Sequence, residues 1–242
     1  MFSLLRSEIY RLLHKKSMFI YFGALVAGYF VLAFIRSGGF NEESVVSDAL
    51  SLFSLLPALA GGFLFTAIYT DDLNSRNIIS LVGFGVNKAT IVIAKFFLAI
   101  LFSAIVFGLV PLYHCAVYAI FGQTATASIV TAIYMASFKH LLTVLAYCAL
   151  SGIVVYGLQR ATFAIVSYIL LAFGVISGLV TVALNMFAPS LISHQISGIT
   201  DRIIVGLISG GTPIMPVVEY IIYTIIAVTL SLIAFNKKEM EF

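Results

Sequence analysis

ALSLFSLLPALAGGFLFTAIYT, residues 49–70, is followed by DDLNSRNIISLVGFGVNK, residues 71–88, and then by ATIVIAKFFLAILFSAIVFGLVPLYHCAVYAI, residues 89–120. Both outer runs exceed the roughly 20 apolar residues that a helix needs to cross a hydrocarbon core of about 30 Å. Between them Asp71, Asp72, Asn74, Ser75, Arg76, Asn77, Asn87 and Lys88 form a polar break. It is the one substantial internal segment expected to face a cytoplasm, and so the place where a soluble partner would dock.

The rest of the chain reads as membrane. Hydrophobic residues fill 62% of the 242 positions and charged residues only 10%, with a mean hydropathy of +1.13, far outside the composition of a soluble domain. Spanning segments must satisfy their backbone internally, which leaves helices or closed barrels, and no ten-residue alternating pattern supports a barrel. The expected fold is an all-α membrane protein forming one transmembrane domain over residues 1–242. Six transmembrane helices are expected near 18–36, 49–70, 89–120, 138–158, 161–187 and 214–235, so both termini share a side. The third is too long for a simple crossing, and Pro111, which has no amide to donate, is expected to kink it or end its regular part.

Orientation follows from the basic residues. With both ends cytoplasmic, the inner side receives Arg6, Arg11, Lys15, Lys16, Arg76, Lys88, Lys95, Arg160, Lys237 and Lys238, and the outer side only Arg36, Lys139 and Arg202. Positive loops stay inside. The net charge of +3 therefore needs no nucleic-acid partner, because anionic membrane lipid accounts for it. Cys115 and Cys148 both sit in apolar runs and read as packing residues rather than as a disulfide framework. No cleavable signal peptide is expected, since the first apolar run follows a basic amphipathic stretch and is long enough to span.

Residues 1–16 are expected to form an interfacial helix, with Phe2, Leu5, Ile9, Leu12 and Leu13 on one face and Arg6, Ser7, Arg11, His14 and Lys15 over the rest. The outer loop 37–48 carries Glu42, Glu43 and Asp48, for which solvation is a sufficient explanation. Residues 189–216 enclose the apolar run 203–208 in a frame of Gly198, Gly206, Gly210, Gly211 and Pro213, and read as an extracellular, re-entrant segment forming an outer gate from Arg202, Ile203, Gly206 and Glu219. A carboxylate one turn inside the last span is costly unless paired or hydrated, and Arg202 is a candidate partner for Glu219. Ala24 with Gly28, Gly174 with Gly178, and Gly206 with Gly210 have spacings that permit close helix approach.

Reactive groups are scarce. His14, His114, His140 and His194 are scattered without the three- or four-residue spacing that puts ligands on one helix face. Residues 83–90, GFGVNKAT, suggest a phosphate loop but place Asn87 where a glycine should precede the lysine. Lys95 and Glu219 are the only Asp, Glu, Lys or Arg residues expected within spans away from their ends, whereas ion-coupled transporters often carry more. An intramembrane enzyme is disfavoured for the same reason, and neither catalytic, cofactor-binding nor metal-binding residues are expected in the chain.

This arrangement resembles the ABC-2 type permease family over essentially the whole chain: an amphipathic N-terminal helix, six spans, a polar loop after the second span, an apolar re-entrant region before the sixth and a short charged tail, 236–242. The most specific piece is AIYTDDLNSRNIISLVGFGVNKATIVIAK, residues 67–95, similar to the family's acidic residue, small amphipathic helix, basic turn and lysine opening the third span; Asp71 or Asp72 stands where the family commonly has glutamate. The resemblance implies that loop 71–90 couples to separate ATPase subunits carrying ATP and Mg. Ile78, Ile79, Leu81 and Val82 would supply an apolar edge, and Asp71, Asp72, Arg76 and Lys88 the charges that orient the partner. It further implies a second permease subunit, identical or paralogous, in a bacterial plasma membrane, and the compact length resembles permeases of antimicrobial-peptide immunity and peptide export. The 21 phenylalanines favour hydrophobic or amphipathic cargo. A membrane scaffold or assembly factor without a pathway of its own is the competing reading.

Overall fold

A computed structural model describes residues 2–37, 44–75, 77–123 and 126–237. Every regular element among them is helical. The chain runs through α1 (Phe2–Leu13), α2 (Lys16–Ser37), α3 (Ser44–Phe53), α4 (Gly62–Phe65), α5 (Asp71–Asn74), α6 (Asn77–Gly83), α7 (Lys88–Ile120), α8 (Ala127–Leu158), α9 (Ala161–Ala172), α10 (Val175–Phe187), α11 (Ile196–Ile208) and α12 (Ile214–Lys237). Two π-helical stretches, Pro57–Gly61 and Thr66–Thr70, flank α4, so that Val45–Leu73 forms one continuous apolar segment.

Among the described residues five segments are long and apolar enough to cross a membrane: Lys16–Ile35, Val45–Leu73, Lys88–Ile120, Ala127–Leu158 and Ile214–Lys237. A sixth is reached by taking α9 and α10 as one broken span bent by 58°. The chain is an all-α, multi-pass membrane protein. The expected span over 161–187 is bent: Phe173 and Gly174 interrupt it, and Gly174 adopts φ +74, a left-handed conformation that glycine takes without steric cost. The Gly174 and Gly178 spacing therefore marks a bend rather than a packed seam, since no neighbour lies within 4 Å of where a Gly178 Cβ would sit.

Pro111 does not end the third span. Helix α7 continues through it to Ile120, and the reason lies on another helix. Proline removes the amide that would bond the carbonyl four residues back, here Phe107, and the buried Ser137 hydroxyl of α8 donates to that carbonyl at 2.6 Å. The fourth long helix likewise starts earlier than the expected 138: Thr126 caps α8 and Ala127 opens it. Helices α7 and α8, 33 and 32 residues long, are each about 50 Å in length and pack together along the molecule. Buried α8 residues facing this and neighbouring helices include Ile133, Val144, Tyr147 and Cys148, so Cys148 is indeed a packing residue.

The second and first spans differ in how much they bury. More than half of the apolar stretch in Val45–Leu73 is buried, against about a tenth in Lys16–Ile35 and in Ile214–Lys237. The second span is thus central and the first and last are peripheral. At the first π stretch Tyr168 of α9 ties the span to its neighbour by donating to the Pro57 carbonyl at 2.9 Å, while at the second Thr70 donates within the stretch to the Thr66 carbonyl at 3.0 Å. A second buried polar set ties the first three spans together. Tyr29 bonds His114 Nδ1 at 2.6 Å, His114 Nε2 faces the Val45 carbonyl at 2.9 Å, and Tyr118 donates to Asp48 at 2.6 Å. A carbonyl can only accept, so Nε2 carries the imidazole proton and Nδ1 accepts from Tyr29. Asp48, expected to be solvated in the outer loop, is instead 3% exposed inside α3. Glu42 and Glu43 lie outside the described residues.

Candidate functional site: a buried ion cluster behind the polar loop

Helix α1 has the expected amphipathic pattern, but its buried arc is rotated. Leu5 and Leu12 face inward with Glu8, while Leu13 and Tyr10 are exposed. The rotation brings Glu8 and Arg11 against the start of α7 and the end of the second span. There Lys95 Nζ lies 2.8 Å from Glu8 Oε2 and also pairs with Asp72. Arg11 joins the same two carboxylates, Nη2 to Glu8 Oε2 at 2.7 Å and Nη1 to Asp72 Oδ1 at 2.9 Å. Asp72 is fully buried, Lys95 1% exposed and Glu8 4% exposed. Two acids and two bases cancel, which lets Glu8, Asp72 and Lys95 sit away from water while Arg11, 34% exposed, reaches it. Burial alone would raise the Glu8 carboxyl, yet the Lys95 ammonium and Arg11 guanidinium outweigh it and hold Glu8 below its ordinary range.

The loop built on this cluster begins with α5, where Lys15 pairs with Asp71 and Asn77 reaches Asp72 Oδ1 at 3.4 Å. Helix α6 follows and buries Ile78 at 5% exposure. Ile79, Leu81 and Val82 are half-buried, and Leu81 and Val82 pack against the core. Gly85 then takes φ +80 to turn the chain, leaving Phe84 at the tip, 87% exposed. Asn87 caps α7 by accepting from the Ala89 amide at 2.9 Å. Lys88 reaches across to the end of α12, donating to the Phe235 carbonyl at 2.9 Å with its ammonium 5.1 Å from the Phe235 ring centre. A cation on the last carbonyls of a helix satisfies both their free lone pairs and the helix dipole.

The charges expected to orient a partner are thus turned largely inward. Asp72 is an interior residue, Asp71 is half-buried against Lys15, and Lys88 is engaged with α12. Arg76 lies outside the described residues. Glu8 and Arg11 were not expected at a site. Their sequence signal was slight: a carboxylate, Glu8, within the buried arc of an amphipathic helix. Phe84, an aromatic beside the turn glycine Gly85, was the corresponding signal for the exposed tip.

At the opposite ends of the spans, Arg202 of α11 grips Glu219 of α12 with both terminal nitrogens, Nη1 to Oε1 at 3.5 Å and Nη2 to Oε2. His194 Nδ1 lies 3.3 Å from the same Oε2. The expected Arg202 and Glu219 partnership is therefore present. Ile203 is buried beneath it, and a Cβ on Gly206 would come within 2.7 Å of Pro213 Cβ, so glycine is what lets the chain double back there. Lys139 of α8 pairs with Asp201 at 2.5 Å. With 13 residues, α11 is too short to cross about 30 Å. Among the described residues no group of three or more His, Cys, Asp or Glu is placed to hold a metal ion. The chain matches no family model, no curated protein and no solved structure.

Proposed function

We propose that this chain is a permease subunit of an ATP-binding cassette exporter of the ABC-2 type, moving hydrophobic or amphipathic cargo by alternating access. Two such subunits, identical or paralogous, enclose the pathway in a bacterial plasma membrane, with both termini cytoplasmic. Separate ATPase subunits hydrolyse ATP and push on the α5–α6 loop. The observation that carries this reading is the loop's mechanical connection. It is short, it projects Phe84, and behind it Asp72 is locked to Lys95 of α7 and to Arg11 of α1, while Lys88 is locked to α12. Force applied at the tip has a stiff path into three helices. On this reading the outer Arg202 and Glu219 pair closes the far end.

Purification in mild detergent, followed by ATPase measurement in vesicles, tests it. An ATPase subunit should accompany the chain, and Phe84→Ala should weaken that association by about 30-fold, the loss typical of a buried aromatic anchor, without impairing membrane insertion. Normal coupling in Phe84→Ala removes the loop tip as the docking point. Stable association without cargo flux in reconstituted vesicles favours the scaffold reading.

A further inference from the structure

The first span leaves a cleft. On one wall are Met18, Phe22 and Val26 of α2, and on the other Phe102, Val106 and Leu109 of α7; the cavity measures about 380 Å³. Leu12 and Leu13 line its end at the α1–α2 corner, and past Tyr113 it adjoins a second cavity of about 250 Å³ reaching Leu32 and Leu52. Ala24 and Gly28, whose spacing suggested close helix packing, line this second part. Nothing lies within 4 Å of where a Gly28 Cβ would sit, so the small residues hollow the wall rather than draw a helix against it. From Met18 to Leu32 the groove follows α2 for about 21 Å, more than the roughly 15 Å of one leaflet.

A carbon-lined slot of this kind stays dry, and in a bilayer hydrocarbon fills it. Charge at that corner selects which lipid supplies the hydrocarbon. Of the basic residues at the α1–α2 corner, Arg11 and Lys15 are spent on Glu8, Asp72 and Asp71, whereas Lys16 is exposed and is given no carboxylate among the described residues. We propose that this groove is a specific site for an anionic phospholipid of the leaflet that α1 faces, with one acyl chain between α2 and α7 and the phosphate against Lys16. The inference rests on the membrane placement of the helices and not on the transporter reading.

The test uses the full chain in vesicles doped with phosphatidylglycerol or phosphatidylcholine bearing the same mid-chain diazirine. Crosslinks should fall on peptides containing Phe22 and Val106, with about fivefold more from phosphatidylglycerol, as expected for one lysine at an anionic surface. Lys16→Glu should bring that ratio to about one, and Val106→Phe should reduce groove labelling from both lipids. Because the wild-type measurement needs no variant, a misfolded substitution leaves the proposal exposed to refutation. Equal labelling by the two lipids means that hydrocarbon fills the groove without a headgroup site. Labelling confined to the outward Ile221 and Ile225 of α12 means annular lipid only. Labelling of the Phe22 and Val106 peptides by neither lipid means that lipid does not enter the groove and leaves it to a second copy. Each of these three results overturns the proposal, whereas loss of ATPase coupling with the labelling intact would touch only the exporter reading.

Discussion

Single positions show how little slack the central span has. A Cβ on Gly61 would collide with the Tyr168 hydroxyl and come within 2.8 Å of Val144 Cγ2. Val144 is β-branched and fully buried, so it has few rotamers to retreat into. Gly61→Ala should therefore destabilise the fold by about 1–3 kcal/mol, the usual penalty of overpacking. The buried Cys148 thiol provides the readout, since its labelling by a thiol-reactive dye on heating reports unfolding. An unchanged midpoint would mean that the second span shifts freely against α8 and α9. Ser137 is the mirror case. Ser137→Ala leaves the Phe107 carbonyl without the donor that Pro111 already denied it, and losing a buried partner costs about 1–3 kcal/mol. Combining Ser137→Ala with Pro111→Ala, which restores the amide, should recover most of that loss in the same assay; equal damage from the single and double variants would break the link between the serine and the proline.

At the scale of the element, α1 is held by charge as much as by its apolar face. Glu8 sits below its ordinary 4.5 in the folded state. A depressed carboxyl contributes stability that is fully present above the unfolded value and is lost as pH falls through the folded one. The midpoint of thermal unfolding should therefore be insensitive to this group from neutral pH down to about 5, the upper edge of a carboxyl titration, and should fall progressively below the ordinary value. Glu8→Gln should flatten the acid limb while lowering the neutral plateau. An acid limb of the same steepness in that variant would assign it to other carboxylates. The same charges explain why a helix with so regular an amphipathic pattern turns a carboxylate inward: Lys95, buried at 1% exposure, needs anionic neighbours more than α1 needs an unbroken apolar face.

For the molecule as a whole, the cluster is the joint between the N-terminal helix, the polar loop and the long α7–α8 pair. Lys95→Met leaves two carboxylates facing one guanidinium and should cost about 3–5 kcal/mol, as removal of one partner from a buried ion pair does. Adding Asp72→Asn restores neutrality, keeping Glu8 with Arg11 at 2.7 Å, and should recover a large part of the loss. Additive losses, measured by thermal unfolding in detergent, would show that the four residues do not act as a unit.

The sequence by itself determined the class. Composition and run length demanded apolar helices, because a bilayer admits no unsatisfied backbone, and segments near 18–36, 49–70, 89–120 and 214–235 were legible from hydropathy alone. So were the amphipathic face of α1, the polar break after the second span, and the candidate pairing of Arg202 with Glu219. Only the tertiary structure decided where the interruptions and the charges go. Pro111 failed to break its helix because a serine 26 residues onward replaced the missing donor. Residues 161–187 bent because Gly174 could take a left-handed turn. Asp72, which looked like a surface charge, became an interior one because Glu8, Arg11 and Lys95, distant in sequence, converged on it. Hydropathy is a local sum and finds spans; the partner that makes a buried charge or an orphaned carbonyl tolerable lies on another helix, and no local sum contains it.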